Sequence, residues 1–142
     1  MDAATQTRGY LLMFSGGKDW DENLSDEELR EIMDRYTAWT NRLTASGKVA
    51  AGQALGPEGR TVSGANRRVL DGPFAESKEA VGGFLHVMVD SFEEALEIAR
   101  ACPGLDLGGR IEIRPVLNEC PTWKRASARL NRPVRVVAAL PA

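Results

Sequence analysis

Histidine occurs once in this sequence, cysteine twice, and no long apolar run occurs at all. Each scarcity removes a class of function. Cys102 and Cys120 form no C-x-x-C pair and His86 stands alone, so a Cys/His zinc site lacks ligands, and no metal is expected. Two cysteines give no disulfide framework and fit a reducing compartment. A membrane helix needs roughly 18 or more successive apolar residues, and residues 1–8 are polar, without the apolar core of a secretory signal. The expectation is a cytoplasmic chain with no membrane partner. A formal net charge of −2 gives no global attraction to nucleic acid. Gly16-Gly17-Lys18-Asp19 lacks the G-x-x-x-x-G-K-[ST] spacing of a phosphate loop and reads as a polar loop. No cofactor signature remains, so the chemistry expected is cofactor-free.

What is present describes an ordinary globular domain. The 142 residues are 43% apolar and 27% charged, enough to bury a core unaided. Charge is unevenly spread. Residues 118–142 carry Lys124, Arg125, Arg129, Arg132 and Arg135 against Glu119, about +4, which leaves about −6 for residues 1–117. The chain therefore divides into a domain at 1–117 and a basic C-terminal extension at 118–142. That extension either docks on an acidic body, its own or a twin's, or is solvated.

Periodicity supplies the elements. Residues 9–14 form a short apolar run that ends at glycines and reads as a buried strand. Ser25-x-x-Glu28 is a capping box. Leu29, Ile32, Met33, Tyr36, Trp39 and Leu43 follow at helical spacing, and Gly47 stops the helix. Residues 49–55 read as a strand, and 60–62 and 67–70 as a hairpin broken at 63–66. In the strand at 82–90, Phe84, His86 and Met88 face one way and Leu85, Val87 and Val89 the other. Ser91-x-x-Glu94 opens a second helix with Phe92, Ala95, Leu96 and Ala99 inside. Residues 110–116 alternate as a last strand, where Pro115 suits an edge. The fold class is α+β: a ferredoxin-like βαββαβ sandwich with an inserted hairpin. Two helices cover one face of such a sheet. A second copy would cover the other, which makes a homodimer the expected state.

The string Asp71-Gly72-Pro73-Phe74-Ala75-Glu76-Ser77-Lys78-Glu79, followed by Gly82-Gly83-Phe84, resembles the YCII-related family and, within it, the DGPF-domain branch. Tyr10-Leu11-Leu12-Met13 and Ile111-Glu112-Ile113-Arg114-Pro115 share the likeness, which spans about residues 9–117. The resemblance implies a ferredoxin-like domain pairing into a dimeric α+β barrel, of bacterial cytoplasmic origin. It implies little about reaction. Relatives encoded beside extracytoplasmic-function sigma factors suggest a regulatory or stress setting. The wider family has a proposed histidine–aspartate pair. Those positions fall near Tyr36 and on Cys102 here, so that pair is not carried over.

The candidate site residues cluster around the 71–79 stretch. Asp71 and Glu76 are the candidate catalytic carboxylates, provided that they face a cleft where burial raises a carboxyl pKa. Equally, Gly72 and Pro73 can make a tight turn that Asp71 merely closes. Candidate ligand-binding residues are Tyr36 as hydrogen-bond donor, Phe74, Lys78, Glu79 and His86. For each there is a plain structural role: core packing for Phe74, a salt bridge for Lys78 and Glu79, a packed or interfacial ring for His86. Two readings stay open: a small-molecule site near the 71–79 stretch, for acid–base chemistry or ligand sensing, or a non-catalytic protein-interaction module. RNA binding shares the strand order, but 83–87 is a poor copy of the aromatic RNA-binding motif and the body is acidic.

Overall fold

The computed structural model describes residues 7–17, 19–71 and 80–133. In chain order the elements are β1 (Thr7–Gly16), α1 (Asp26–Ala45), β2 (Val49–Ala54), β3 (Arg60–Ser63), β4 (Arg68–Asp71), β5 (Gly83–Val87), α2 (Phe92–Arg100), β6 (Gly109–Leu117) and α3 (Pro121–Leu130). Short 3₁₀ turns at Trp20–Asn23 and Pro103–Leu107 precede α1 and β6. Four strands form one sheet in the order β2-β5-β1-β6, with every pairing antiparallel. That order is compatible with the ferredoxin-like arrangement. β3 and β4 form a separate two-stranded ribbon, the inserted hairpin expected from 60–70.

Local chemistry explains where the helices start. Ser25 Oγ accepts the Glu28 N–H at 3.2 Å and Glu28 Oε1 accepts the Ser25 N–H at 3.1 Å. The Ser25 backbone N–H, and after it the Ser25 side chain, hydrogen-bond the Glu28 carboxylate, favour its charged form and hold its pKa below the usual value. Ser91 Oγ likewise accepts the Glu94 N–H at the start of α2. Gly47, with φ +72°, follows α1 in the left-handed conformation. Pro115 lies on β6, an edge strand, where a missing N–H is tolerated.

The core sits on one face of the sheet. Tyr10 and Leu12 of β1, Val87, and Val89 just beyond it, pack against Ala95 and Ala99 of α2. Leu12 and Val87 are completely buried, each contributing about 1.5–3 kcal/mol of apolar burial. Trp39 and Leu43 of α1 form an adjoining cluster with Cys102. The Trp39 Nε1–H donates to the Ile98 carbonyl at 3.1 Å and ties α1 to α2. Met33, expected on the inner stripe of α1, is instead exposed.

Strand register fixes the other face. Leu11 pairs with His86 and Arg114, and Met13 with Phe84 and Glu112. Side chains paired across antiparallel strands share a face, so these residues point away from the helices. β1 shifts register between Thr7 and Tyr10. There Gly9, at φ +84°, lies so close to β5 that a Cβ would overlap the Val87 carbonyl oxygen. α3 was not anticipated within the basic extension. Pro121 at its first turn pre-sets the helical φ, and Trp123, Ser127 and Leu130 follow at helical spacing.

Candidate functional site

A cavity of about 980 Å³ opens at one end of the sheet. Its floor is Phe14 from β1 and Ile111 from β6. Tyr36 enters from α1, and Cys102 and Leu105 come from the segment after α2. The rim includes Gly56 after β2 and Ala80, Val81 and Gly82 before β5. Gly82 pins this rim twice: its N–H donates to the Phe14 carbonyl at 2.7 Å, and its carbonyl accepts the Leu55 N–H at 2.9 Å.

Tyr36 and Cys102 meet in this cavity. The Cys102 thiol points at the Tyr36 hydroxyl oxygen, with Sγ 3.9 Å away. Three features set the surroundings of Tyr36. Its ring meets Trp39 edge-on at 6.4 Å. Arg35, beside it on α1, pairs with Asp106 at 2.8 Å and fixes α1 against the Pro103–Leu107 turn. Gly104 leaves the hydroxyl room, since a Cβ there would overlap the Tyr36 oxygen. Cys102 lies between α2 and the Pro103–Leu107 turn, its N–H donating to the Ala99 carbonyl at 3.0 Å, and is buried. Burial pushes the Tyr36 pKa up to about 12, assisted by the charge and hydrogen bonding of Cys102. The phenol is neutral at physiological pH; its oxygen accepts from the Cys102 thiol, and its O–H can donate.

The candidate residues separate in space. Tyr36 lines the cavity. Asp71 ends β4, with its side chain 93% exposed and 3.3 Å from Arg60 across the ribbon, and does not line the cavity. His86 lies on the sheet face opposite the helices. Its Nε2 is 2.7 Å from the Arg8 carbonyl oxygen, which can only accept, so that nitrogen carries the proton. Phe74, Glu76, Lys78 and Glu79 lie outside the described residues; in sequence they run directly into the rim residue Ala80. Among the described residues no three His, Cys, Asp or Glu side chains gather as metal ligands. Nor is any described helix long and apolar enough to cross a membrane.

Cys102 is not among the site residues expected from the sequence. One signal was available. The positions of the family's proposed histidine–aspartate pair fall near Tyr36 and on Cys102, and Tyr36 and Cys102 meet across 66 residues of chain.

Strand order and cavity define a small α+β domain with a concave site at one end of an antiparallel sheet. The chain belongs to the YCII-related family, whose domain matches residues 12–124. It is similar to an uncharacterized protein of Rhizobium meliloti, with 33% identity over 103 residues, 65% of this chain and 78% of that protein.

Proposed function

We propose that this chain is a homodimeric small-molecule-binding protein of the DGPF branch, and that the Tyr36–Cys102 cavity is its site. The observation that carries this reading is a cavity of about 980 Å³ lined by a buried thiol and a phenol 3.9 Å apart. A pocket of that size suits a small organic molecule, and its mostly apolar walls with a few convergent polar groups suit one too. Tyr36 supplies the directed hydrogen bond, without a cofactor. Glu76, Lys78, Glu79 and Phe74 remain candidates for the rim, because the sequence brings them up to Ala80. Asp71 belongs to the same stretch, but its pairing with Arg60 favours a role in closing the ribbon.

The second copy is proposed to cover the helix-free face of the sheet, around Leu11, Met13, Phe84 and His86. Met88 adds an exposed methionine beside it. Light scattering at micromolar concentration should give the mass of a dimer; a clean monomer would end that part of the proposal.

The site itself is tested by blocking it. Gly56 lies on the rim, and a Cβ added there meets no atom within 4 Å. Gly56→Phe should therefore fold normally and put a ring into the mouth. Small uncharged aromatic ketones such as benzylacetone should quench tryptophan emission in the wild type, through Trp20 in the lining. The quenching should disappear in G56F. Unchanged quenching in G56F, with the fold intact, would count against the cavity.

A second reading, a protein-interaction module, draws on α3. Trp123 and Leu130 are 51% and 62% exposed on a helix that also carries Lys124, Arg125 and Arg129. If the protein works in a sigma-factor-linked regulatory complex, removing residues 119–142 should abolish partner capture while leaving benzylacetone quenching intact. Equal capture by the truncated chain would remove this reading.

A further inference from the structure

The cavity holds two groups with different chemistry at a fixed spacing. The Tyr36 hydroxyl, kept neutral by its surroundings, can donate to an oxygen. The Cys102 sulfur is a nucleophile for carbon once deprotonated. Among the described residues the lining carries charges of opposite sign, Arg110 and Asp19. Phe14, Leu105 and Ile111 make the rest of the neighbourhood apolar.

Spacing narrows the ligand further. A carbonyl oxygen bonded to Tyr36 would lie about 2.8 Å from the phenol oxygen. A carbon under attack would lie about 3–3.5 Å from sulfur. Because Sγ and the hydroxyl oxygen are 3.9 Å apart, a ligand that meets both must carry its oxygen and its electrophilic carbon a few ångströms apart, the phenol meeting the oxygen near the ligand plane and the sulfur reaching the carbon from above it. In a conjugated enone the oxygen and the β-carbon are roughly 3–3.6 Å apart, by ordinary bond lengths and angles. A simple ketone offers its oxygen and electrophilic carbon only about 1.2 Å apart, a poorer match to two groups 3.9 Å apart.

We infer that the cavity captures uncharged α,β-unsaturated carbonyl compounds, with the Cys102 sulfur adding to the β-carbon while Tyr36 holds the carbonyl oxygen. This deepens the small-molecule reading above and rests on it. The S–H bond breaks and an S–C bond forms at the β-carbon. The C=C electron pair moves through the α-carbon to the oxygen, giving an enolate stabilised by the Tyr36 hydroxyl. The proton lost from sulfur returns at the α-carbon. Nothing is oxidised or reduced overall, and the product is a thioether containing the whole enone.

Cys120 provides the internal comparison, since it is free and exposed and outside the cavity lining. Accessibility alone would make it the faster thiol. The full chain should be treated with benzylidenacetone, an uncharged aromatic enone, and followed by intact mass and peptide mapping. The expected result is Cys102 modified about tenfold faster than Cys120, with benzylacetone, the saturated analogue, protecting Cys102 alone. Tyr36→Phe removes the hydrogen bond to the developing oxyanion and should slow Cys102 about tenfold while leaving Cys120 unchanged. Preferential labelling of Cys120, or a Cys102 rate indifferent to Y36F, overturns the inference. Benzylacetone quenching without a Cys102 adduct refutes capture but leaves the binding site standing. Absence of both refutes the two together. The wild-type comparison of the two thiols decides the matter even if a variant fails to fold.

Discussion

Gly104→Ala isolates the contact on which the Tyr36–Cys102 arrangement depends. Gly104 is outside the left-handed region, so alanine brings no backbone strain there. Its cost comes from the new methyl, which overlaps the Tyr36 hydroxyl oxygen and approaches Cζ to 3.2 Å. The phenol must shift, and with it the contact to Cys102. Overpacking of this kind typically costs about 1–3 kcal/mol. For a chain of this length that corresponds to a thermal midpoint lowered by roughly 3–9 °C. Tyr36→Phe deletes the overlapping atom and, taken alone, should cost less than about 1 kcal/mol, since it loses only a long sulfur hydrogen bond. The double variant should therefore recover much of what G104A loses, with a coupling of at least about 1 kcal/mol in a denaturant-unfolding cycle. If G104A costs as much in the Y36F background as in the wild type, residues 36 and 104 are not in contact and the geometry assigned to the site is wrong.

Three further outcomes follow from the same geometry. Gly9→Ala should cost roughly 3 kcal/mol or more by chemical denaturation, combining a left-handed φ with overlap of the Val87 carbonyl; Gly47→Ala, with similar φ but open space around it, should cost only about 1–2 kcal/mol. The raised Tyr36 pKa links stability to alkaline pH. The folded protein holds this proton more tightly than the unfolded chain, so the contribution is whole below the unfolded value of 10 and is lost as pH rises towards 12. Stability of the wild type should fall more than that of Y36F over this window, measured by urea unfolding; parallel profiles would refute the shift. Asp71→Asn removes an exposed pairing with Arg60 and should change stability by less than about 1 kcal/mol while leaving benzylacetone quenching unaltered; loss of quenching would bring Asp71 into the site.

The fold was legible where local chemistry and periodicity agreed. Ser25 and Glu28 cap α1 by the reciprocal hydrogen bonds their spacing implied, and the alternation of 84–89 sorts Val87 and Val89 into the core. The ribbon could be read because glycine and asparagine interrupt two β-rich pieces. Less legible was α3, since a charge count over 118–142 masks a short helix whose start depends on Pro121. The site was only half legible. Tyr36 stood out as a potential donor, but its partner is 66 residues away, and no local pattern in either segment predicts their contact. Gly104 illustrates the difficulty: it reads as punctuation after a helix, and its need for a bare backbone becomes visible only when α1 is laid against it.

The Gly82 bridge has a kinetic consequence. The rim of the cavity is closed by main-chain bonds between Phe14 and Gly82 and between Gly82 and Leu55, whereas β3 and β4, among the described residues, pair only with each other and are exposed along their length. Two-stranded ribbons alone are marginally stable in water. The amide hydrogens of Val62 and Val69 should therefore exchange with solvent quickly and together, while those of Leu55 and Gly82 persist. The chain would then have two clocks. The ribbon can open and close many times, or drift in sequence, without the mouth of the cavity losing its shape.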